Sequence, residues 1–353
     1  MEVLEILKKA VEMKASDIFI VAGLPLTFKV QGVIEHVDSK ALMPPETSEI
    51  IDGIYSLTNG RSIDGFLASG DDDFSFAVRG ISRFRVNTYK QRGSLAAVIR
   101  VITFDIPSAE ALHIPGKVIH MADFTNGLIL VTGPAGCGKS TTLACMIDYI
   151  NRTRENHIIT LEDPLEYLHR HHKSIVSQRE IYTDTESYVT ALKASLRQSP
   201  DVILLGEMRD YETMDIAMTA AETGHLIIST LHTLGAANSI GRIIDVFPAN
   251  QQRQVVIQLA LVLRAVISQQ LVPSIDGTLI PAFEVMTVNP AISTMIRDNK
   301  IHQIDGVIAT SASEDMISMD QSLLNLYAKG LITKDVALEH SYNTEALKRK
   351  LKI

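Results

Sequence analysis

The fold of this chain follows from one stretch of sequence, which runs from Gly127 to Ser140 and reads GLILVTGPAGCGKS. Its first half, Gly127 to Thr132, is a continuous apolar run and predicts a buried strand. Its second half has the spacing of a P-loop, and a helical run from Thr142 to Ile150 follows it. A strand, a glycine-rich turn and a helix in this order predict a site where backbone N–H groups and a helix N-terminus bind phosphate.

The residue types within this loop predict the ligand. Lys139 is expected to reach the β and γ phosphates of a nucleoside triphosphate, and Ser140 is expected to offer its hydroxyl to Mg²⁺. Cys137 is expected to be a small side chain whose backbone matters, and a redox role is the alternative. The predicted ligands are therefore ATP and Mg²⁺. The predicted nucleotide-binding residues are Gly133, Pro134, Ala135, Gly136, Cys137, Gly138, Lys139, Ser140 and Thr141.

Buried strands and helices alternate after this loop. Further apolar runs occur at His157–Leu161, Asp201–Leu205 and His225–Thr230, with helical segments between them. This pattern predicts an α/β core with a mainly parallel sheet covered on both faces. Before the loop, an amphipathic helix, short β-rich runs and two further helices predict a small α+β domain. The predicted organisation is an N-terminal domain 1–103, a linker 104–116, a core 117–280 and a mainly helical region 281–353.

Composition and charge exclude several classes of protein. The 353 residues exceed the roughly 250 at which one core usually splits, and 46% hydrophobic residues predict a folded chain. A net charge of −8 argues against nucleic acid as the main partner.

Two cysteines, Cys137 and Cys145, cannot form a four-cysteine zinc site and indicate a reducing compartment. The most apolar run, Val255–Ile267, is too short to span a membrane. We therefore expect a cytosolic protein without a transmembrane segment, linked to a membrane only through a partner.

Carboxylates follow two of the predicted core strands. The run from Glu162 through Asp163 to Glu166 comes after the second strand, and Glu207 comes after the third. Ligands of open α/β sheets bind at these carboxyl ends, where a carboxylate can activate water or support a metal ion. Glu207 is expected to hold or polarise the water shell of Mg²⁺. The alternative for Glu162 to Glu166 is a solvated acidic turn.

The histidines allow a functional and a structural interpretation. His225 and His232 lie at opposite ends of one predicted strand, so they cannot form an adjacent metal pair. His232, at the carboxyl end, is the better candidate for sensing the γ phosphate, and a structural role is the alternative for both. The run His169-Arg170-His171-His172 predicts a solvated loop, with a pH-sensitive contact as the alternative.

Four segments in this order resemble the Walker A motif, Asp box, Walker B motif and His box of the GspE/PilT superfamily of secretion ATPases. They are Gly133–Thr142, Ile158–His169, Asp201–Asp210 and Thr219–Thr233. Shorter stretches near both ends of the chain resemble the PAS-like domain and the helical tail of the pilus-retraction branch. The resemblance implies a PAS-like N-terminal domain, a RecA-like P-loop ATPase core and a helical C-terminal segment.

The resemblance also implies an activity and its residues. It implies a homo-hexameric, Mg²⁺-dependent ATPase that drives type IV pilus retraction and twitching motility by acting on an inner-membrane platform protein of the PilC kind. Glu166 matches the catalytic base of the family, with Glu162 and Asp163 supporting it, and Arg85 and Arg100 match arginines that approach the phosphates. Without the resemblance, the arginines of the N-terminal domain predict a solvated strand face.

Several alternatives remain open at this point. The segment Ala291–Arg297 keeps the apolar helix face of the retraction branch but lacks its first arginine and its asparagine. An accessory retraction motor of the PilU kind is the nearest alternative, followed by a type II secretion or pilus-assembly ATPase. A paralogue of the PilU kind is also a candidate partner. The scarcity of cysteine counts against the zinc-bearing assembly motors. A nucleic-acid translocase and a regulatory nucleotide-binding module without turnover are more distant alternatives.

Overall fold

The computed structural model describes residues 2–30, 32–58, 60–102, 104, 106–311 and 316–351, and the chain divides into two compact units. The first unit contains Met1–Asp105 and Glu166–Leu168, and the second contains Ile106–Leu165 and His169–Ile353. Residues 106–116, expected as part of a linker, group with the second unit. Thr103 and Asp105, at the predicted boundary, lie outside the described residues.

The first unit is an antiparallel sheet packed against helices. Its described strands form one sheet in the order β3-β2-β1-β6-β5-β4, and every neighbouring pair is antiparallel. Side chains alternate along β5, where Phe84 and Val86 are buried and Arg83 and Arg85 are partly exposed. The elements are α1 (Val3–Glu12), β1 (Ala15–Ile20), β2 (Pro25–Val30), β3 (Val33–Ala41), α2 (Pro44–Ser56), α3 (Asp64–Ser69), β4 (Asp71–Val78), β5 (Ser82–Gln91) and β6 (Ser94–Ile102).

The second unit has a mainly parallel sheet between helices, so the predicted α/β fold class is confirmed. The described strands have the order β13-β12-β7-β11-β10-β8-β9, and only the β12–β13 pair among them is antiparallel. The elements up to the last strand are α4 (Gly116–His120), β7 (Gly127–Thr132), α5 (Lys139–Thr153), β8 (His157–Glu162), β9 (Ile175–Glu180), α6 (Tyr188–Ser195), β10 (Val202–Leu205), α7 (Tyr211–Glu222), β11 (Leu226–Leu231), α8 (Ala236–Val246), α9 (Gln252–Val262), β12 (Leu263–Pro273) and β13 (Leu279–Thr287).

The C-terminal segment is helical, but it begins later than predicted. The boundary predicted between residues 280 and 281 falls inside β13, which pairs with β12 along its whole length. Proline has no backbone N–H to donate to a neighbouring strand, and Pro281 is tolerated because β13 lies at the edge of the sheet. The helices that follow are α10 (Pro290–Arg297), α11 (Ile304–Thr310), α12 (Met319–Ala328), α13 (Lys334–Glu339) and α14 (Thr344–Lys350).

The central strands explain the length of the apolar runs. Every residue of β7, β10 and β11 is buried, as expected for strands with helices on both faces of the sheet. Within the described ranges, none of the helices has both the length and the apolarity needed to cross a membrane.

Candidate nucleotide-binding site

The P-loop joins β7 to α5 through residues 133–138, and two of its glycines are required by geometry. Gly133 and Gly138 have φ angles of +143° and +87°, in the region that favours glycine. Both also lie against β12. A Cβ atom on Gly133 would overlap the backbone carbonyl oxygen of Gln269. A Cβ atom on Gly138 would lie 2.9 Å from Nε2 of the Gln269 side chain. The close approach of β12 therefore requires glycine at both ends of the loop.

Lys139 is the first residue of α5 and is only 8% exposed. Its ammonium group donates hydrogen bonds to the carbonyl oxygens of Gly133 and Pro134, at 2.9 and 2.8 Å. Both acceptors belong to the loop, so the loop itself holds the positive charge beside the N-terminus of α5. The ammonium group and the positive end of the helix dipole favour an anion at the same place.

The other predicted loop residues differ in exposure. Pro134, Ala135 and Gly136 are exposed, and Ser140 and Thr141 at the start of α5 are partly exposed. Cys137 is 3% exposed, and its burial raises the pKa of the thiol, so the side chain is neutral near pH 7. The side chain of Cys137 is therefore part of the packing beneath the loop.

The carboxyl ends of four neighbouring strands bring the predicted polar residues to the edge that carries the P-loop. The strands β7, β11, β10 and β8 are adjacent in that order, and all three neighbouring pairs are parallel. The residues that end or follow these strands are, in the same order, Gly133, His232, Glu207 and Glu162. The topology therefore places the P-loop, the histidine and two carboxylates along one edge of the sheet.

Glu207 lies between two basic side chains at this edge. Its side chain is 13% exposed, and one carboxylate oxygen lies 2.6 Å from Nη2 of Arg209. The other oxygen lies 3.5 Å from Nε2 of His232. The backbone here is held by Thr230, whose hydroxyl donates to the carbonyl oxygen of Gly206 at 2.6 Å. The structure thus brings Glu207 and His232 together, and it adds Arg209, which sequence reasoning had not singled out.

Tyr188 is a second residue that sequence reasoning missed. It begins α6, and burial raises the pKa of its phenol, with further contributions from the negative charges of Glu207, Asp163 and Glu162. The phenol therefore stays protonated near these carboxylates. No pattern in the sequence marks this tyrosine, because only the packing of α6 against the sheet brings it to the edge.

Glu166 belongs to a different part of the structure from the other carboxylates. The segment Glu166–Leu168 groups with the first unit, whereas Glu162 and Glu207 lie in the second. Its side chain is exposed. The assignment of Glu166 as the catalytic base therefore rests on the family resemblance.

Arg85 and Arg100 are direct cross-strand neighbours on β5 and β6 of the first unit. Arg85 forms a bidentate pair with Asp73, with distances of 3.0 Å from Nε and 2.7 Å from Nη2. Arg100 is 70% exposed, and its Nε lies 3.3 Å from a carboxylate oxygen of Asp17. The two predicted arginines therefore share one face of the sheet, each beside an acidic residue of its own unit.

The histidine run after the Asp box is tied to neighbouring segments. The backbone N–H of His169 donates to Gln178, and Nδ1 of His171 accepts from the backbone N–H of Val176. Burial lowers the pKa of His169 to about 4, so this imidazole is neutral near pH 7. The prediction of a solvated loop is therefore wrong for His169. No group of three or more metal-binding side chains occurs in the part of the chain that the structure describes.

The fold and the residues at this edge define a P-loop nucleotide-binding protein of the α/β class. The model of one protein family, described as type II/IV secretion system protein, matches residues 2–279. The chain belongs to this family.

Individual relatives are similar over nearly the whole chain. The type IV pilus retractation ATPase PilT of Pseudomonas aeruginosa is 42% identical over 339 residues, which cover 96% of this chain and 98% of that protein. The type IV pilus ATPase PilU of the same organism is 40% identical over 354 residues, covering 100% of this chain and 92% of that protein. A crystal structure of the pilus retraction motor PilT with bound ADP superposes with a TM-score of 0.89 at 46% identity, and 99% of each chain is covered.

Proposed function

We propose that this protein is an ATPase that drives type IV pilus retraction and hence twitching motility. One observation carries the proposal: the similarity to PilT extends over 96% of the chain and so includes both units. It therefore covers more than the P-loop core, which many unrelated nucleotide-binding proteins share. The edge that holds Lys139, Glu207 and His232 supplies a site at which such an activity can take place.

The second unit binds ATP at this edge. Lys139 contacts the β and γ phosphates when ATP replaces the two loop carbonyls as its partners. The hydroxyl of Ser140 and the carboxylate of Glu207 are hard oxygen donors of the kind that Mg²⁺ prefers, and these two residues would hold the ion, Glu207 through a water molecule. When bound, the ion would supply positive charge that neutralises the phosphate oxygens.

Hydrolysis requires a base and a sensor. Glu166 accepts a proton from the attacking water, and Glu162 supports it. His232, 3.5 Å from Glu207, senses the γ phosphate through this carboxylate. Arg85 and Arg100 add positive charge at the phosphates, a task that suits the fixed charge and fork geometry of arginine.

The working assembly is a homo-hexameric ring. It consists of PAS-like and RecA-like domains and acts on an inner-membrane platform protein of the PilC kind at the cytoplasmic face of the membrane. The family resemblance supports this assembly. Nucleic acid is not expected as a partner, since the chain carries a net charge of −8.

Two experiments test the proposal. Purified protein should hydrolyse ATP only when Mg²⁺ is present, and the Lys139→Ala variant should not. Deletion of the gene should leave cells with more surface pili and without twitching, and only the wild-type gene should restore both. Pilus loss in the deletion strain would instead indicate an assembly motor, and an unchanged pilus number would contradict a role in retraction.

An accessory motor of the PilU kind is the second candidate. The 40% identity to PilU, over the whole of this chain, favours it. If the protein is an accessory motor, deletion of its gene alone should leave twitching intact in cells that keep another retraction ATPase. Expression of its gene should also fail to restore twitching in cells that lack that ATPase. Restoration in such cells would exclude the accessory role.

A further inference from the structure

Gln269 is a buried polar residue at the point where β12 passes the P-loop. Its neighbour Ser268 pairs with Thr132, the last residue of β7, so Gln269 lies level with the start of the loop. The side chain is 2% exposed. A buried amide lowers the stability of the fold unless its donors and acceptor are paired. The partners of this amide therefore indicate what it does.

One end of the Gln269 amide binds the nucleotide loop, and the other binds the helix that follows the loop. Nε2 donates a hydrogen bond to the carbonyl oxygen of Cys137 at 2.7 Å. Oε1 accepts a hydrogen bond from the hydroxyl of Thr142, in the first turn of α5, also at 2.7 Å. The orientation of the amide is determined by chemistry, because a carbonyl oxygen can only accept and must therefore face the NH₂ group.

This contact controls the direction of one peptide group. In a planar trans peptide the C=O and N–H bonds point in opposite directions. Because the carbonyl of Cys137 points towards Gln269 on β12, the N–H of Gly138 points away from β12. P-loops bind phosphate through backbone N–H groups of this kind. A rotation of the peptide would turn the carbonyl towards the phosphate and leave the buried Nε2 without its partner.

We infer that Gln269 is a positioning residue, which holds the Cys137–Gly138 peptide so that the Gly138 N–H is presented to the phosphates of a nucleotide. The inference rests on the proposed nucleotide-binding function and adds a residue outside the P-loop to the same site. Thr142 completes the arrangement, because its hydroxyl fixes the other end of the amide.

The test is titration of the full-length protein with ADP in a calorimeter. Gln269→Leu removes both hydrogen bonds and should raise the dissociation constant for ADP about tenfold. Gln269→Glu should raise it further at pH 8, because a carboxylate oxygen then faces the carbonyl oxygen of Cys137. At pH 6 the Glu variant should recover part of its affinity relative to the wild type, since a protonated carboxyl group can donate to that carbonyl. A purely structural role predicts no such recovery.

Thr142 and Gln270 provide matched variants. Thr142→Val should weaken ADP binding and Thr142→Ser should not, because only serine keeps the hydroxyl. This pair keeps the inference testable if the Gln269 variants fail to fold. Gln270→Leu is the control, since the amide of Gln270 donates to the carbonyl oxygen of His340 at 3.5 Å and not to the loop. It should bind ADP like the wild type.

The outcomes separate this inference from the proposed function. Wild-type affinity in folded Gln269→Leu and Gln269→Glu proteins would overturn the inference, as would equal affinities of Thr142→Val and Thr142→Ser. An equal loss in Gln270→Leu would also overturn it, because general damage to β12 would then be sufficient. If the wild type hydrolyses no ATP while the ADP titrations follow the predicted pattern, the proposed ATPase function fails and the role of Gln269 stands.

Discussion

Glu284 should make the stability of the protein depend on pH. This residue of β13 is 4% exposed, and its Oε1 accepts a hydrogen bond from the backbone N–H of Ala236 at the start of α8, at 2.9 Å. Burial, and to a lesser extent the nearby carboxylates Asp305 and Asp320, raise the pKa of Glu284 from 4.5 to about 7, against the effect of that hydrogen bond.

The sign and size of the effect follow from this shift. A carboxyl group with a raised pKa binds its proton more tightly in the folded chain than in the unfolded chain. Its contribution to stability is therefore complete below pH 4.5 and is lost as the pH rises through 7. One pKa unit corresponds to about 1.4 kcal/mol, so the free energy of unfolding should fall by about 2–3 kcal/mol between pH 5 and pH 8 because of this group.

Urea unfolding of the wild type and Glu284→Gln at pH 5, 6, 7 and 8 measures this effect. Glutamine cannot ionise, so the difference in free energy of unfolding between the two proteins should change by about 2–3 kcal/mol across this range. Glu345→Gln is the control, because Glu345 has a side chain that is 75% exposed. If the free energies of unfolding of the wild type and Glu284→Gln differ by the same amount at every pH from 5 to 8, the argument from burial is refuted.

Three further predictions concern the nucleotide site. Lys139→Ala should raise the dissociation constant for ATP by about a hundredfold in a fluorescence titration, because the loop loses its only lysine; normal affinity would contradict the P-loop assignment. Glu166→Gln should bind ATP normally but hydrolyse it at least about a hundredfold more slowly in a phosphate-release assay, and unchanged turnover would exclude Glu166 as the base. Arg85→Ala and Arg100→Ala should stay folded, since exposed ion pairs contribute roughly 0–1 kcal/mol. Their ATP turnover should fall about tenfold, whereas wild-type turnover would indicate ordinary surface arginines.

The strands that sequence reasoning found are those with a clear burial pattern. The apolar runs predicted β7, β8, β10 and β11 to within one residue at either end, because a strand covered on both faces has no polar positions to confuse the pattern. Among the β-rich runs of the N-terminal domain, the residues Ser82, Phe84, Val86 and Thr88 predicted β5, and all four are buried. The strand β3 was not predicted from the sequence. It lies at the sheet edge and is exposed along most of its length, so its apolar residues follow neither the helical period of 3.6 nor the strand period of 2.

β12 was missed for a different reason. The apolar run from Val255 to Ile267 contains the end of α9 and the start of β12, with no glycine or proline between them. A continuous apolar run does not distinguish a buried helix from a buried strand. The polar residues Ser268 and Gln269 then look unsuited to a core strand, although their partners lie in the loops at the end of the sheet.

The chemistry of the site is local in the chain, and the sequence was therefore sufficient to identify it. The strand, the glycine spacing and Lys139 lie within 14 residues, so a P-loop and its affinity for phosphate follow from short-range geometry. The partners of that loop are distant in sequence, and only the packing of the strands decides them. Gln269 reaches Cys137 across 132 positions because β12 lies beside β7. The packing of distant elements likewise brings Tyr188 near the acidic residues and Glu284 to the start of α8. Burial and pairing at long range depend on which elements pack together, and no local pattern of residue types specifies them.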